Sequence, residues 1–221
     1  LDYTEIGATG MADNEVIQMM FGPGKYDVLA YIKAELPPLH EPGTVWNYST
    51  AAFHLIGHAL QGLTTEESSA VSFSSWFSRA LSDPIGMNAL IEFDASENYL
   101  GGSLVWASAR DFAKFGYLYL RDGVWDGQRL LPEGWVDFSR SHPDGPKENV
   151  YGAGFWLTTG GADPVPSNQR RDAPPWDSFA AEGHEGQTIF IVPSRDLVIV
   201  RLGIMSNEGE NWPDLFRWNQ T

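Results

Sequence analysis

With 221 residues, of which 43% are hydrophobic and 13% aromatic, the chain can bury a core of its own, and this composition excludes an intrinsically disordered protein. Its formal net charge of −15, from 14 basic and 29 acidic residues, argues against nucleic acid and anionic membranes as partners. No apolar run approaches the ~18–20 residues of a membrane span. The chain has no cysteine, which excludes disulfides, thiolate catalysis and Cys-ligated zinc but leaves the compartment open.

The first half of the chain predicts a series of short helices that end at glycine or proline. Apolar residues recur at helical spacing in several stretches, and Pro37-Pro38 and Asp83-Pro84 each stop one of them. The predicted helices cover 15–20, 26–33, the segment from Ser49 to about Gly62, and 73–81. A further helix start is expected at Thr64, because Thr-Thr-Glu-Glu places acidic residues in a first turn.

The second half predicts a capped helix followed by an antiparallel meander. Ser108 to Asp111 is a capping-box variant, Gly123 ends the helix behind it, and Asp126-Gly127 is a tight-turn signal. Pro132 is expected to open a short helix at its first turn. Strands are predicted over 151–158, 178–182, 188–192 and 197–204, with a long loop over 160–177 and a helix that begins at Trp212.

This order of elements favours an α/β (α+β) fold, in which helices pack on an antiparallel sheet beside a helical subdomain. We expect a single domain over residues 1–221, mainly helical over 1–147, with the sheet and the start of a C-terminal helix over 148–221. The strands between 188 and 204 are apolar on both faces, so both faces of the sheet require cover.

The stretch Glu41-Pro-Gly-Thr-Val-Trp-Asn-Tyr-Ser-Thr50 combines several local signals. Pro42-Gly43 predicts a turn, and Ser49 and Thr50 are favourable N-cap residues for the helical pattern that follows. Tyr48 should therefore lie where an extended segment meets a helix N-terminus. Free backbone N–H groups and the helix dipole favour negative charge at that position and would help to stabilise a phenolate. The alternative is an ordinary half-buried aromatic side chain.

Two further stretches complete an ordered set of motifs. They are Leu100-Gly-Gly-Ser-Leu-Val-Trp-Ala-Ser-Ala-Arg-Asp-Phe-Ala-Lys-Phe-Gly116 and Gly183-His-Glu-Gly-Gln-Thr-Ile-Phe-Ile-Val-Pro-Ser-Arg-Asp-Leu-Val-Ile-Val200. Together with Pro-Gly-Thr-x-Trp-Asn-Tyr-Ser, in this order and spacing, they resemble the serine β-lactamase-related family of esterases, amidases and D-amino-acid peptidases. Within it they look closest to the 6-aminohexanoate-oligomer hydrolase and carboxylesterase branch. The resemblance covers essentially the whole chain and implies the β-lactamase/transpeptidase-like fold.

The resemblance also implies a nucleophilic Ser followed three residues later by a Lys, one helical turn away, which takes the hydroxyl proton. None of the four lysines has a serine at that position; the residues found there are Gly22, Ala30, Asp111 and Asp144, before Lys25, Lys33, Lys114 and Lys147. No Gly-x-Ser-x-Gly elbow occurs either. Because Leu1-Asp-Tyr3 resembles the part of these proteins that follows the Ser-x-x-Lys helix, we expect the nucleophile upstream of Leu1. We therefore expect an incomplete domain without hydrolase activity of its own.

Tyr48 matches the family's catalytic Tyr, which relays a proton between nucleophile and leaving group and needs a neighbouring cation to act near neutral pH. Thr50 stands where β-lactamases carry a substrate-contacting Asn, which favours the esterase and amidase branch over penicillin hydrolysis. His184-Glu-Gly186 matches the third motif of the family. On an edge-facing strand, the backbone N–H of Gln187 would be the second oxyanion donor, and Gly186 would let the substrate approach the backbone. A solvated strand histidine is the alternative for His184.

The remaining candidates carry weaker signals. Tyr3 and Trp176 are candidate substrate contacts at the rim of the site. Gly101-Gly102 either borders the cleft or only permits close helix packing. His54 and His58 lie one helical turn apart, but the Glu of a His-Glu-x-x-His site is absent and no third ligand is evident, so no metal is predicted.

The leading hypothesis is a serine hydrolase that acts on a small ester or amide through an acyl-enzyme, without a cofactor. Its partner would be a small-molecule substrate, while no nucleic acid and no membrane span are expected and the oligomeric state is open. One alternative is a non-catalytic family member that acts as a binding or regulatory module. The other is an acidic, aromatic-rich carbohydrate-binding domain, although the nine tryptophans are scattered and mostly suit a core.

Overall fold

A computed structural model describes residues 1, 12, 14–41, 43–64, 69–141, 151–157 and 175–204. The chain divides into two compact units. The helical unit comprises Leu1–Asp83 and Ala89–Trp106, and the sheet unit comprises Pro84–Asn88 and Ala107–Thr221. The loop predicted over 160–177 and the helix predicted from Trp212 lie largely or wholly outside the described residues, as does Tyr3.

The helical unit is built from four α-helices and a strand pair. The elements are α1 (Glu15–Met20), α2 (Val28–Glu35), α3 (Thr50–Thr64), α4 (Ala70–Phe77), β1 (Ala89–Ile91) and β2 (Val105–Ala107), the last of which ends one residue into the sheet unit. A 3₁₀ turn over Pro23–Tyr26 joins α1 to α2, and a π-helical turn over Ser78–Ser82 extends α4. One buried core cluster of this unit consists of Met19, Val28, Ile32, Leu36, Ala51 and Leu100. The predicted helices are confirmed, whereas pairing of β1 with β2 was not predicted.

Short polar side chains set the beginnings of these helices. Asn14 Oδ1 accepts hydrogen bonds from the N–H groups of Val16 and Ile17, at 3.0 and 3.3 Å, and so caps α1. The helix start predicted at Thr64 is wrong, since Thr64 is the last residue of α3 and its hydroxyl donates to the carbonyl of Leu60. The next helix is capped instead by Ser69, whose side chain accepts from the N–H of Ser72.

In its described residues, the sheet unit contains a four-stranded antiparallel sheet with the long helix α5 on one face. Its elements are α5 (Ala109–Leu120), β3 (Val124–Trp125), β4 (Gln128–Arg129), α6 (Trp135–Ser139), β5 (Trp156–Leu157), β6 (Phe179–Gly183), β7 (Gln187–Val192) and β8 (Leu197–Arg201). The strand order of the main sheet is β5-β6-β7-β8, and β3 forms a separate hairpin with β4. The three predicted C-terminal strands are confirmed, while the strand predicted over 151–158 shortens to Trp156–Leu157.

Helix α5 packs its apolar side against the sheet. Phe112, Phe115 and Tyr119 pack against a core that includes Phe179, Ile189 and Ile191. A Cβ added at Gly116 would lie 2.7 Å from Val198 Cγ1 and 2.9 Å from Ile189 Cγ2, so this glycine lets the helix approach the strands closely. On the other face of the sheet, Ala180, Phe190 and Val192 are also buried, so both faces of β7 are covered as the apolar strands require.

The turns of the sheet unit follow the predicted chemistry with two adjustments. Asp126 and Gly127 both have left-handed φ, at 47° and 77°, as a two-residue hairpin turn between β3 and β4 requires. Helix α5 ends one residue earlier than predicted, because Asp122 is the first left-handed residue, at φ 51°, ahead of Gly123. The helix start predicted at Pro132 is wrong: α6 begins at Trp135, behind a left-handed Gly134 with φ 77°.

Candidate functional site

Tyr48 lies directly ahead of helix α3, at the end of a non-helical segment. Its side chain is half-buried, while Val45 and Trp46 before it are exposed. Ser49 Oγ accepts a hydrogen bond from the N–H of Ala52 at 3.1 Å, which caps the first turn of the helix. The predicted position of Tyr48 just ahead of a helix N-terminus is therefore confirmed, whereas Val45, expected in an extended segment, lies in a bend.

A glycine pair packs against the first turns of the same helix. A Cβ on Gly102 would lie 2.6 Å from the carbonyl oxygen of Thr50, and a Cβ on Gly101 would lie 2.9 Å from that of Phe53. No side chain fits there without a backbone shift, so Gly101-Gly102 permits close packing, the second of the two predicted possibilities. Thr50 is 8% exposed, and its assignment as a substrate contact stays a prediction.

His54 is fully buried one turn further along α3. Its Nδ1 accepts a hydrogen bond from the N–H of Gly102 at 3.4 Å, which requires the neutral tautomer with the proton on Nε2. Burial lowers the pKa of His54 to about 4 and keeps the ring neutral. Nε2 is buried and finds no hydrogen-bond partner in the described part of the chain. His58, by contrast, is exposed, so the two histidines lie in different surroundings.

Polar contacts continue along this buried side of α3. The Gln61 amide accepts from the N–H of Tyr99 at 3.1 Å and donates to the carbonyl of Glu97 at 2.8 Å. Between the two polar side chains, a Cβ on Gly57 would lie 3.1 Å from the Cα of Gly101. Hydrogen bonds and a glycine contact thus hold the segment from 97 to 102 against α3. The apolar periodicity of this helix did not indicate that arrangement.

The C-terminal half of the second motif forms the N-terminus of α5. Ser108 Oγ accepts from the N–H of Asp111 at 3.2 Å, which confirms the predicted capping box variant. Lys114 Nζ lies 2.9 Å from Asp111 and also donates to the carbonyl of Gly86. The hydrogen bonds from Lys114 and then Ser108 lower the pKa of Asp111 to about 2. Lys114 is therefore occupied by a structural contact in the sheet unit.

The third motif forms a tight turn rather than part of a strand. His184, Glu185 and Gly186 connect β6 to β7, and Gly183 pairs directly with Gln187 across the turn. Glu185 has φ 57° and Gly186 φ 79°, so two successive residues are left-handed, which is costly for the non-glycine residue. The His184 side chain is 95% exposed, with Nε2 3.9 Å from Glu185 Oε1.

Gln187 does not lie on an edge strand, and that expectation is wrong. Strand β7 lies between β6 and β8 in the described sheet and pairs with both of them. Gln187 is instead the first residue of β7, at the end where the sheet meets the His184 turn. The oxyanion role assigned to its N–H stays a prediction.

Two side chains brace this turn through contacts that the sequence did not indicate. The Gln187 side chain exchanges two hydrogen bonds with the backbone of Gly203, both 2.8 Å long. Arg201, the last residue of β8, donates from Nη1 to the carbonyl of Gly186 at 3.1 Å and to that of Gly203 at 3.0 Å. The sequence did show a basic residue at the end of the apolar run Leu-Val-Ile-Val. It did not show that Arg201 would bind the Gly186 carbonyl, because Gly186 is far away in sequence.

Residues 8–218 match the family model described as Beta-lactamase. The chain belongs to the beta-lactamase family. This confirms the resemblance stated on the three motifs and the β-lactamase/transpeptidase-like fold class. A search of curated protein sequences gave no match.

Solved structures agree with this family fold. A "putative 6-aminohexanoate-dimer hydrolase" from Bacillus anthracis is 21% identical with a TM-score of 0.60, and the match covers 82% of this chain and 44% of that one. A "putative beta-lactamase" from Bacteroides dorei DSM 17855 is 16% identical with a TM-score of 0.53, covering 79% and 56%. The chain thus spans about half the length of these two structures.

Within this beta-lactamase-family chain, the predicted site residues fall into two groups. Tyr48 and Thr50 belong to the helical unit, whereas His184, Gly186 and Gln187 form the turn of the sheet unit. Trp176 also belongs to the sheet unit, lies just before β6 and is 59% exposed. The turn brings His184, Gly186 and Gln187 together, whereas Trp176 lies at the opposite end of β6, where its neighbour Asp177 accepts hydrogen bonds from Ser194.

The sheet unit also contains a cavity, and the described residues were considered as a metal site and as a membrane-spanning helix. An open cavity of about 390 Å³ lies in the sheet unit, with Tyr119, Asp137, Arg140 and Phe179 in its wall, and none of the predicted site residues lines it. Over the described ranges, no group of three or more His, Cys, Asp or Glu is placed to hold a metal ion. No helix among the same residues is both long and apolar enough to cross a bilayer.

Proposed function

We propose that the protein is a serine hydrolase that cleaves a small ester or amide through an acyl-enzyme. The match to the beta-lactamase family over residues 8–218 carries this proposal. The presence of Tyr48, His184 and Gly186 at the motif positions supports it. The solved structure named as a 6-aminohexanoate-dimer hydrolase favours the esterase and amidase branch over penicillin hydrolysis, as does Thr50 in place of the β-lactamase Asn.

Tyr48 is the proposed proton relay between the nucleophile and the leaving group. Its position directly ahead of α3 supports this role, because free N–H groups and the helix dipole at an N-terminus lower the energy of a phenolate. A cation beside the ring would complete the base, and the Lys of a Ser-x-x-Lys pair is the group that would supply it.

The turn at 184–187 is the proposed oxyanion site. The backbone N–H of Gln187 would donate to the oxygen on which charge develops, partnered by the N–H of the nucleophilic Ser. The left-handed backbone at Glu185 and Gly186 supports this role, since strained backbone of this kind clusters at functional turns. The exposed His184 side chain would contact the substrate, together with Tyr3 and Thr50.

The nucleophile is proposed to come from polypeptide outside residues 1–221. The absence of any Ser-x-x-Lys pair in the printed sequence supports this, as does the coverage of 44% and 56% of the two solved structures. The acyl-enzyme would form when the Ser oxygen attacks the carbonyl carbon. Its proton would pass through the Lys and Tyr48 to the departing alcohol or amine.

Hydrolysis of p-nitrophenyl acetate and butyrate tests the proposal. The protein that includes the Ser-x-x-Lys pair should show saturable turnover, and residues 1–221 alone should not exceed a denatured control. Tyr48→Phe in the active protein should lower kcat by ~10²-fold or more with little change in KM, because a proton relay acts in the transition state.

Tyr26→Phe is the matched control, since Tyr26 is 65% exposed and lies at none of the motif positions. Wild-type kcat in the Tyr48→Phe protein would show that Tyr48 only packs. Saturable turnover by residues 1–221 alone would place the nucleophile inside this chain. A complete protein without turnover would favour a binding or regulatory module instead.

A further inference from the structure

The apolar side of α3 lies opposite the side that the helix buries. Its members are Ala52, Leu55, Ile56, Ala59, Leu60 and Leu63. All of them are exposed except Ala52, which is half-buried. The four in the middle of this side follow one another at spacings of four, three and four residues, which is the spacing of a seam that packs against another helix. Two of those four are alanines, so a second helix could approach closely.

The composition of α3 also differs from that of a helix at a protein surface. Such a helix normally carries charged and polar residues opposite its buried side. Exposed Lys33 and Glu35 do so on α2, and exposed Arg110 does so on α5. Helix α3 has no charged residue among its 15, in a chain with 29 acidic and 14 basic residues. A contiguous exposed apolar surface of this kind marks an interaction site.

The position of Tyr48 identifies the partner of this surface. Tyr48 lies two residues before Thr50, the first residue of α3, so the apolar side starts next to the proposed proton relay. The proposed reaction requires a Ser and a Lys beside that ring, and a Ser-x-x-Lys pair shares one face of a helix. No such pair occurs in the printed sequence, and the matches cover only 44% and 56% of the two solved structures.

We propose that the apolar side of α3 is the docking surface for the helix that carries the Ser-x-x-Lys pair, from polypeptide outside residues 1–221. This inference rests on the proposed function. The surface would hold the docked helix in one register, because a slip by one turn moves it by about 5.4 Å. Such a slip would take the nucleophile out of hydrogen-bond reach of Tyr48. A second copy of the chain could cover the same surface but would bring no nucleophile.

Cysteine labelling of the catalytically active protein tests whether the surface is covered. Residues 1–221 contain no cysteine, so an introduced thiol there can be followed in its own peptide. Ala59→Cys should react with a maleimide at least about tenfold more slowly than Ala34→Cys, because a covered thiol reacts only when the structure opens. Ala34→Cys is the matched control, since Ala34 is an exposed alanine on α2. Equal rates in variants with wild-type melting temperatures would overturn the inference, even in an enzyme with full turnover.

Photo-cross-linking of the same protein identifies what covers the surface. p-Benzoylphenylalanine in place of Leu55, which flanks the seam in the half of α3 nearer to Tyr48, should cross-link within one molecule to the helix that carries the Ser-x-x-Lys pair. A cross-link between two molecules, or to another peptide of residues 1–221, would overturn the inference. The expected cross-link in a protein without turnover of p-nitrophenyl butyrate would support the docking and overturn the proposed function.

Discussion

Helix α3 of the helical unit and helix α5 of the sheet unit bury opposite kinds of surface. Helix α5 buries Leu118 completely and turns Phe112 and Phe115 toward the sheet. The buried residues of α3 are instead Thr50, Ala51, His54, Gly57 and Gln61. Its large apolar side chains face outward, with Leu55, Ile56 and Leu63 exposed by 40%, 60% and 85%. Apolar spacing therefore identifies a helix but does not reveal which side it buries.

The difference follows from what each helix packs against. The partner of α5 is a sheet of β-branched and aromatic residues, so apolar side chains give the largest gain on burial. Part of the buried side of α3 packs against the backbone of residues 97 to 102, whose N–H and C=O groups must be satisfied once they are buried. His54 and Gln61 provide those hydrogen bonds, and glycines bring the two backbones close together.

Leucine-to-alanine substitutions should give the largest difference in stability between the two helices. Leu118→Ala should lower the free energy of unfolding by about 2–5 kcal/mol, because it opens a cavity at a side chain that is fully buried. Leu63→Ala should change it by less than about 0.5 kcal/mol, because that side chain is 85% exposed. Urea unfolding of both variants in residues 1–221 checks the comparison. A loss at Leu63 as large as that at Leu118 would mean that the apolar side of α3 is covered in solution.

The buried polar side of α3 should make the free energy of unfolding depend on pH. Burial lowers the pKa of His54 from 6.5 to about 4, so folding favours the neutral ring. Its contribution is complete above pH 6.5 and is lost as the pH falls toward 4, by up to about 3 kcal/mol. We expect His54→Gln to flatten the stability curve over this range relative to wild type. His58→Gln is the control, since His58 is exposed; identical slopes in wild type and His54→Gln would contradict the assignment.

Glycines on the two helices should respond to alanine with opposite signs. Gly116→Ala should destabilise by about 1 kcal/mol, because the new methyl group meets Val198 and Ile189 at 2.7 and 2.9 Å and overpacking outweighs the gain in helix propensity. Gly62→Ala in α3 meets nothing within 4 Å and should stabilise by about 0.5–1 kcal/mol. Melting temperatures of the pair measure the difference. Stabilisation by both substitutions would show that α5 can move away from the sheet.

Local sequence signals predicted many helix caps and turns, and they predicted where Tyr48 of the candidate site lies. Ser49 and Ser108 are helix caps that act within three residues of chain, and Asp126-Gly127 forms its turn without distant help. These features depend on backbone groups that are neighbours in sequence, so they can be predicted from the local residues. The junction at Tyr48 belongs to the same class.

One error was local: Pro132 was expected to open a helix, but the left-handed Gly134 delays its start to Trp135. Other errors arose where partners are distant in sequence. Gln187 was placed on an edge strand, although β8 pairs along the other side of its strand. The brace from Arg201 to Gly186 spans 15 residues and was not foreseen. No local propensity encodes which strand lies beside which.

The sequence by itself determined the family, the helices and strands, their caps and turns, and the motif positions of Tyr48 and His184. It could do so because hydrophobic period, capping and turn chemistry act over a few residues, and because the motifs keep their order along the chain. Only the tertiary structure decided that α3 buries its polar side, that β7 is an interior strand and that Arg201 holds the Gly186 carbonyl. Those features depend on the shape and hydrogen-bonding groups of a partner surface, which the residues around α3, β7 or Arg201 do not contain.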